Sequence, residues 1–301
     1  MDLSGKTLDY RYRDRIDQVR LSFKEKIKKL QDDQLVYQQD VDKTLTNDFW
    51  VEKFLEWHRG NLNKTVDGLI FSCKTIKKYR LRDLKMSDFP AEILSSGSVF
   101  EYEPDVLGRK TLYIRTKYSP VCKETREICK QFGLFLHLKM EEETGEKGYV
   151  SITDFAGMTM SNVDIKLVLS TMEVVDVFPP FCILFVCVNI PFILKSLVKS
   201  VVYLIPTDHT KGLIFPDKKQ LEQVVLIENM PDFLGGTCMR PYMGKQVVPE
   251  GCLTFREQFD KLIEDNKDCE FIADPPLMLS KVDKESICQV TQYYEGLFSK
   301  F

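Results

Sequence analysis

From Val177 to Leu194 the chain carries no charged residue, and this run constrains the fold more than any other. Its length, about 18 residues, is that at which a membrane span is first considered. Yet Pro179, Pro180, Asn189 and Pro191 lie inside it, and its centre, Ile183-Leu-Phe-Val-Cys-Val188, is β-branched and aromatic. Proline removes a backbone donor and stops a helix, whereas such a centre suits a strand buried on both faces. The run therefore reads as a helix end, a proline stop, a buried parallel strand over Phe181–Asn189 and a turn into a second apolar helix, Phe192–Leu204. A strand followed by another apolar helix suits a soluble α/β protein that lines a cavity.

The flanking pattern agrees. Val99–Tyr102 and Thr111–Arg115 read as strands around a turn at Asp105–Gly108. Tyr149–Asp154 reads as a strand, and so does the short Leu213–Phe215. Helices are expected over Glu124–Leu138, Asn162–Phe178 and Lys218–Leu226, the last charged and exposed. Strands alternating with helices imply a mostly parallel sheet with helical cover. Before this lies helical grammar. Thr46 or Asn47 can cap a helix through Trp57, and Asn61-Leu-Asn63 separates it from a second helix that reaches Arg80, an αα-hairpin. Beyond Glu250, Phe255–Ile263 and Ile287–Phe298 look helical. The expected organisation is a helical region at 1–90, an α/β domain at 91–250 and a helical tail at 251–301.

Residues 1–31 hold nine Lys or Arg against five Asp or Glu, with Ile16, Val19, Phe23 and Ile27 at roughly helical spacing. Such a helix either packs on the body by one face or touches acidic lipid headgroups. The whole chain of 301 residues has a net charge of −3, which argues against a nucleic-acid binder. Nine cysteines, an odd number without Cys-x-x-Cys, and a charged start unlike a secretory leader fit a reducing cytosol.

Catalytic patterns are missing. The three histidines, His58, His137 and His209, lack metal-ligand spacing. Neither Gly-x-Gly-x-x-Gly, a Walker lysine nor Gly-x-Ser-x-Gly occurs. Asp154 ends a strand, where α/β enzymes often keep an acid. Without a base or metal partner it reads as the cap of the turn that follows. No enzyme and no metal or organic cofactor is expected.

Four segments, in this order, resemble the CRAL-TRIO lipid-binding family. They are Phe54-Leu-Glu-Trp-His-Arg59, Ile152-Thr-Asp-Phe-Ala-Gly157, the pair Phe178-Pro179 with Asn189-Ile-Pro-Phe192, and Met230-Pro-Asp-Phe-Leu-Gly-Gly-Thr237. The resemblance implies a sheet that floors an apolar pocket, with a helix after the Asn-x-Pro turn as its gate. On that reading the ligand-facing residues are Tyr113, Ser151, Phe155, Phe178, Phe185, Phe192, Leu197, Val201, Leu204 and Lys211. Ser151 matches a hydroxyl that other members place near a choline-lipid phosphate. Members that transfer phosphatidylinositol hold its headgroup with an Arg, a Glu and a Thr-x-x-Lys. Here those positions are His58, Pro180, and Asp208 with Lys211, so only the lysine is kept and weak binding of inositol lipids is implied. The implied function is binding, and transfer between membranes, of a single hydrophobic lipid by a cytoplasmic protein peripheral to membranes. The alternative is a lipid-sensing module that docks a protein partner through 1–31 or 253–301. Partners are thus a lipid, transiently a membrane surface, and in the second reading a protein.

Overall fold

Polar caps start the helices flanking the first break. The Asn47 side chain accepts from the Trp50 amide at 2.9 Å and opens one helix; Asn61 accepts from Lys64 at 3.0 Å and opens the next. In the computed structural model, which describes residues 3, 8–29, 35–118, 126–158, 174–180, 183–195 and 212–265, these are α3 (Asp48–Trp57) and α4 (Leu62–Lys78). Arg59 and Gly60, both at positive φ, reverse the chain between them. Before them stand α1 (Ile16–Lys29) and α2 (Gln38–Thr46), the latter not anticipated from the sequence. Ile16, Val19 and Phe23 are buried in the core shared with α4, so α1 packs on the body by one face. Its exposed side keeps Lys24, Lys28 and Lys29.

One buried and one half-exposed ion pair tie this helical region to α6 (Arg126–Thr144), which follows the short α5 (Ala91–Ser95) and runs one to two turns further than its sequence pattern predicts. Lys53 reaches Glu141 at 2.9 Å, and Arg82 bridges Asp40, at 2.5 Å, and Glu142. Removing one partner of such a pair leaves an uncompensated buried charge, the costly case.

Five strands form one sheet in the order β1-β2-β3-β4-β5. They are β1 (Val99–Tyr102), β2 (Thr111–Arg115), β3 (Tyr149–Asp154), β4 (Ile183–Val188) and β5 (Leu213–Ile214). β1 runs antiparallel to β2; the other pairings are parallel. The charge-free run thus holds a central strand. It is shorter than its apolar stretch because Asn189, at φ 54°, turns the chain out of the ladder. A 3-10 turn, Phe192–Leu194, opens the segment expected to be a second apolar helix, whose remainder lies outside the described residues. Of the helix expected over Asn162–Phe178 only the end is described, helical to Val177. The expected helix Ile287–Phe298 lies outside as well.

Side chains alternate across the sheet. Leu112, Tyr149 and Ile183 join the core of the helices, whereas Tyr113, Val150, Ile152, Leu184 and Val186 join a second core on the other face. We call these the helical face and the outer face. Leu221, Val224, Val225, Met230 and Leu234 close the outer face. The expected helix over Lys218–Leu226 is a single turn, Lys218–Leu221, continued by turns in which the Val225 amide still donates to the Leu221 carbonyl at 3.0 Å. It is not wholly exposed: Leu221, Val224 and Val225, three and four residues apart, are buried on one side. The chain then folds back sharply: Gly235 takes φ 88°, and a Cβ at Gly236 would stand 1.9 Å from the Met230 carbonyl oxygen. The last described helix, α7 (Phe255–Asp265), docks through Phe255, whose amide donates to the Glu92 carboxylate at 3.0 and 3.1 Å.

Candidate functional site

Strand register sorts the candidate residues by face. One row in register is Leu112–Ser151–Phe185–Leu213, and the next, nearer the C-terminal ends, is Ile114–Thr153–Cys187. Both rows belong to the helical face. At its N-terminal end this face is closed by α6: Leu112 and Ile183 are buried, and Tyr149 meets Nδ1 of His137 at 2.5 Å. Toward the C-terminal ends cover thins, and Ile114, Thr153, Phe185 and Cys187 are only half-buried. Phe178 is buried in the same core, where the Ser72 hydroxyl donates to the Val177 carbonyl at 2.8 Å and fixes that segment on α4.

The surroundings are of low polarity. Burial pushes the Cys187 thiol up to about 12. Burial also lowers His137 to about 4, against the raising effect of Glu141, so its imidazole is neutral at physiological pH. Ser151 is 1% exposed, whereas Thr153 on the next row is half-buried.

The structure brings Ser151, Phe178 and Phe185 together on one side and parts them from two others. Tyr113, expected to face the ligand, points to the outer face. There it stacks on Phe100 (ring centroids 5.4 Å apart, 8° between planes) and meets Phe233 edge-on, with its hydroxyl buried and unpaired. The cause is parity: Tyr113 is one residue from Leu112, and adjacent strand residues face opposite ways. Phe192, expected to face inward, is 87% exposed, because the turn at Asn189 and Pro191 carries it off the strand end. Phe155 is half-buried just past β3, its amide donating to Val188. Leu197, Val201, Leu204 and Lys211 lie outside the described residues, as does Asp208.

Thr153, Cys187 and the His137–Tyr149 pair were not singled out from the sequence. A period-two reading outward from Ser151 would have reached Thr153. Asp154 does cap its turn: Oδ1 accepts from the Ala156 amide at 3.0 Å and from Asn189 Nδ2 at 2.9 Å. Among the described residues no cluster of three or more His, Cys, Asp or Glu is placed to hold a metal ion, and no helix is long and apolar enough to cross a membrane.

The outer face holds a different feature. Arg115, 3% exposed, has its guanidinium carbon 4.1 Å from the Phe233 ring centre, 4.3 Å from Tyr118 and 5.2 Å from Tyr242. Its hydrogen-bonding contacts are Tyr118 at 3.3 Å and the Met243 sulfur at 3.9 Å, while Nε has none. Aromatic faces stand in for a counter-ion here. A separate recess of about 400 Å³, lined by Val188, Asn189, Lys218, Leu221, Phe233 and Gly235 among others, opens at the strand ends.

Residues 94–236, which hold the sheet and its closing turn, match the family model of the CRAL/TRIO domain, and this part of the chain is a member of that lipid-binding and lipid-transfer family. Among solved structures, the one titled "Crystal structure of Sfh5" aligns with 85% of this chain and 98% of its own, at 15% identity and a TM-score of 0.49.

Proposed function

We propose that the protein binds one hydrophobic lipid against the helical face of its sheet and exchanges it with membranes, without chemistry on the ligand. The supporting observation is the graded cover of that face: Leu112 and Ile183 are sealed beneath α6, while Ile114, Phe185 and Cys187 are less covered at the strand ends. An apolar floor of this kind gains about 0.8 kcal/mol per methylene relative to water, the same as a bilayer offers, so a pocket can compete with a membrane for a long chain. Ser151, Phe178 and Phe185 belong to this site. The exposed Phe192, with the Lys195 ammonium 5.7 Å from its ring centre, suits a brief contact with a membrane surface. The protein on this reading is cytoplasmic and peripheral to membranes, and needs no cofactor besides the lipid.

The test is mass spectrometry of lipid extracted from purified protein, alongside uptake from vesicles of mixed composition. One lipid per chain is expected. Neither co-purified lipid nor uptake overturns the proposal. Phe192→Asp should weaken attachment to vesicles and leave the unfolding transition in place, since the side chain is exposed. Unchanged attachment removes Phe192 from the membrane contact.

A further inference from the structure

The outer face of the sheet carries two buried polar atoms without partners. Tyr113 and Arg115 occupy successive outer positions of β2 and are 0% and 3% exposed. The Tyr113 hydroxyl and the Arg115 Nε are both buried with no hydrogen bond. Buried polar groups are ordinarily paired, and an unpaired one is costly. The carboxylate in register with Arg115 is that of Asp154, which serves the Ala156 amide and Asn189 instead. The surrounding rings offset the guanidinium charge but leave one of its edges open. On that edge Nε is unpaired and Nη2 reaches the Tyr118 hydroxyl at 3.3 Å. Such an edge takes a carboxylate by two parallel hydrogen bonds.

Phe233 links this pair to the recess of about 400 Å³ at the end of β4. Its half-buried ring lies 4.1 Å from the guanidinium carbon and edge-on to Tyr113, and it is also a wall of the recess. The volume is that of a small-molecule site. Turning the ring aside opens the recess to the guanidinium. The other walls include the apolar Val188, Leu221 and Leu234. The two carboxylates of the rim are already engaged. Asp217 accepts from the Gln220 amide at 2.9 Å, and Asp232 from the Phe233 amide at 2.8 Å and the Tyr242 hydroxyl at 2.7 Å. Two acids at the entrance disfavour a doubly charged phosphate, whereas a single planar carboxylate on an apolar body matches both the guanidinium and the walls.

We propose that this recess binds a small monocarboxylate, with its apolar body against Val188, Leu221 and Leu234, its carboxylate on Arg115 and Tyr113, and Phe233 as the side chain that yields on entry. Burial raises Tyr113 above its ordinary value, so its hydroxyl stays protonated and donates. The site lies across the sheet from the proposed lipid floor and does not depend on it.

The experiment uses the full chain with phenylacetate, its neutral analogue phenylethanol, and methyl phosphate. Binding is measured by equilibrium dialysis at pH 7.5, and arginine side-chain 15N spectra are recorded alongside. One phenylacetate per chain is expected, held about tenfold or more tighter than phenylethanol, the worth of a charge-assisted pair of bonds. It should shift one arginine Nε–H resonance, the one that is missing from the spectrum of Arg115→Met. That variant, checked for folding by urea unfolding, should bind phenylacetate about tenfold or more weakly. Phenylethanol or methyl phosphate held as tightly as phenylacetate, undiminished phenylacetate binding by Arg115→Met, or no binding of phenylacetate at millimolar concentration overturns the inference. Should Arg115→Met not fold, the resonance shift in the native chain and the preference over phenylethanol decide the matter.

Discussion

His137 makes the stability of this protein depend on pH in a calculable way. Its imidazole sits on α6 against Tyr149, with Glu141 and Lys53 nearby, and desolvation lowers it to about 4 from the ordinary 6.5. The folded state therefore holds a neutral ring, while the unfolded chain binds a proton below pH 6.5. The stabilising contribution is complete above pH 6.5 and is lost as pH falls through about 4. At 1.36 kcal/mol per pH unit the full displacement corresponds to about 3 kcal/mol, an upper figure because the ring is half-buried. Burial raises Asp40 and Glu52, which acts in the opposite sense. The measurement is therefore a difference: urea unfolding of the native chain and of His137→Gln at pH 7.5, 6.0, 5.0 and 4.5. The gap between the two proteins should close by about 2 kcal/mol between pH 7.5 and 4.5, with the native chain losing more. A gap independent of pH would mean that the ring is solvated or charged in the fold, and would refute the reasoning.

Three other outcomes follow from the packing. Arg115→Met should leave stability unchanged or raise it by roughly 1 kcal/mol, because a buried cation without a carboxylate is replaced by an apolar chain of similar length; a loss above about 2 kcal/mol would show that the aromatic contacts outweigh desolvation. Arg115→Lys should be the worse substitution, by roughly 1–2 kcal/mol, since an ammonium cannot stack as a planar guanidinium does; equal unfolding midpoints for the two variants would count against this. Gly236→Ala should cost about 3 kcal/mol or prevent folding, because its Cβ meets the Met230 carbonyl rather than a side chain that could move; unfolding within about 1 kcal/mol of the native chain would show that the backbone yields there.

The sequence carried much of the fold for identifiable reasons. Prolines and asparagines are local signals, and Asn47, Asn61 and Asn189 act where they stand: two as helix caps, one as the left-handed exit from β4. The strand and helix alternation led to the parallel sheet, since an apolar β-branched core such as Ile183–Val188 leaves few other placements. Two local patterns misled. α2 has only Val41 and Leu45 as large apolar residues, and its place depends on Asp40 pairing with Arg82, a contact spanning 42 residues. Lys218–Leu226 looks like a charged, exposed helix, but its apolar residues Leu221, Val224 and Val225 share one side and are buried in the outer core, and regular helix ends after one turn.

The candidate site was legible in position more than in direction. Ser151, Phe178 and Phe185 come together because they belong to the strand and proline stop that the family pattern marks. Tyr113 does not join them, and no composition could have revealed this, since both faces of β2 are apolar. A strand buried on two sides hides its parity, and only register with β3 settles it: Leu112 stands opposite Ser151, so Tyr113 must stand opposite Ile152. The same register puts Thr153 beside Ser151's row without any motif announcing it. What separates a pocket residue from a core residue in such a sheet is thus a single residue step, combined with what covers each face. On the helical face the cover thins toward the strand ends, and on the outer face it wraps a guanidinium in three rings.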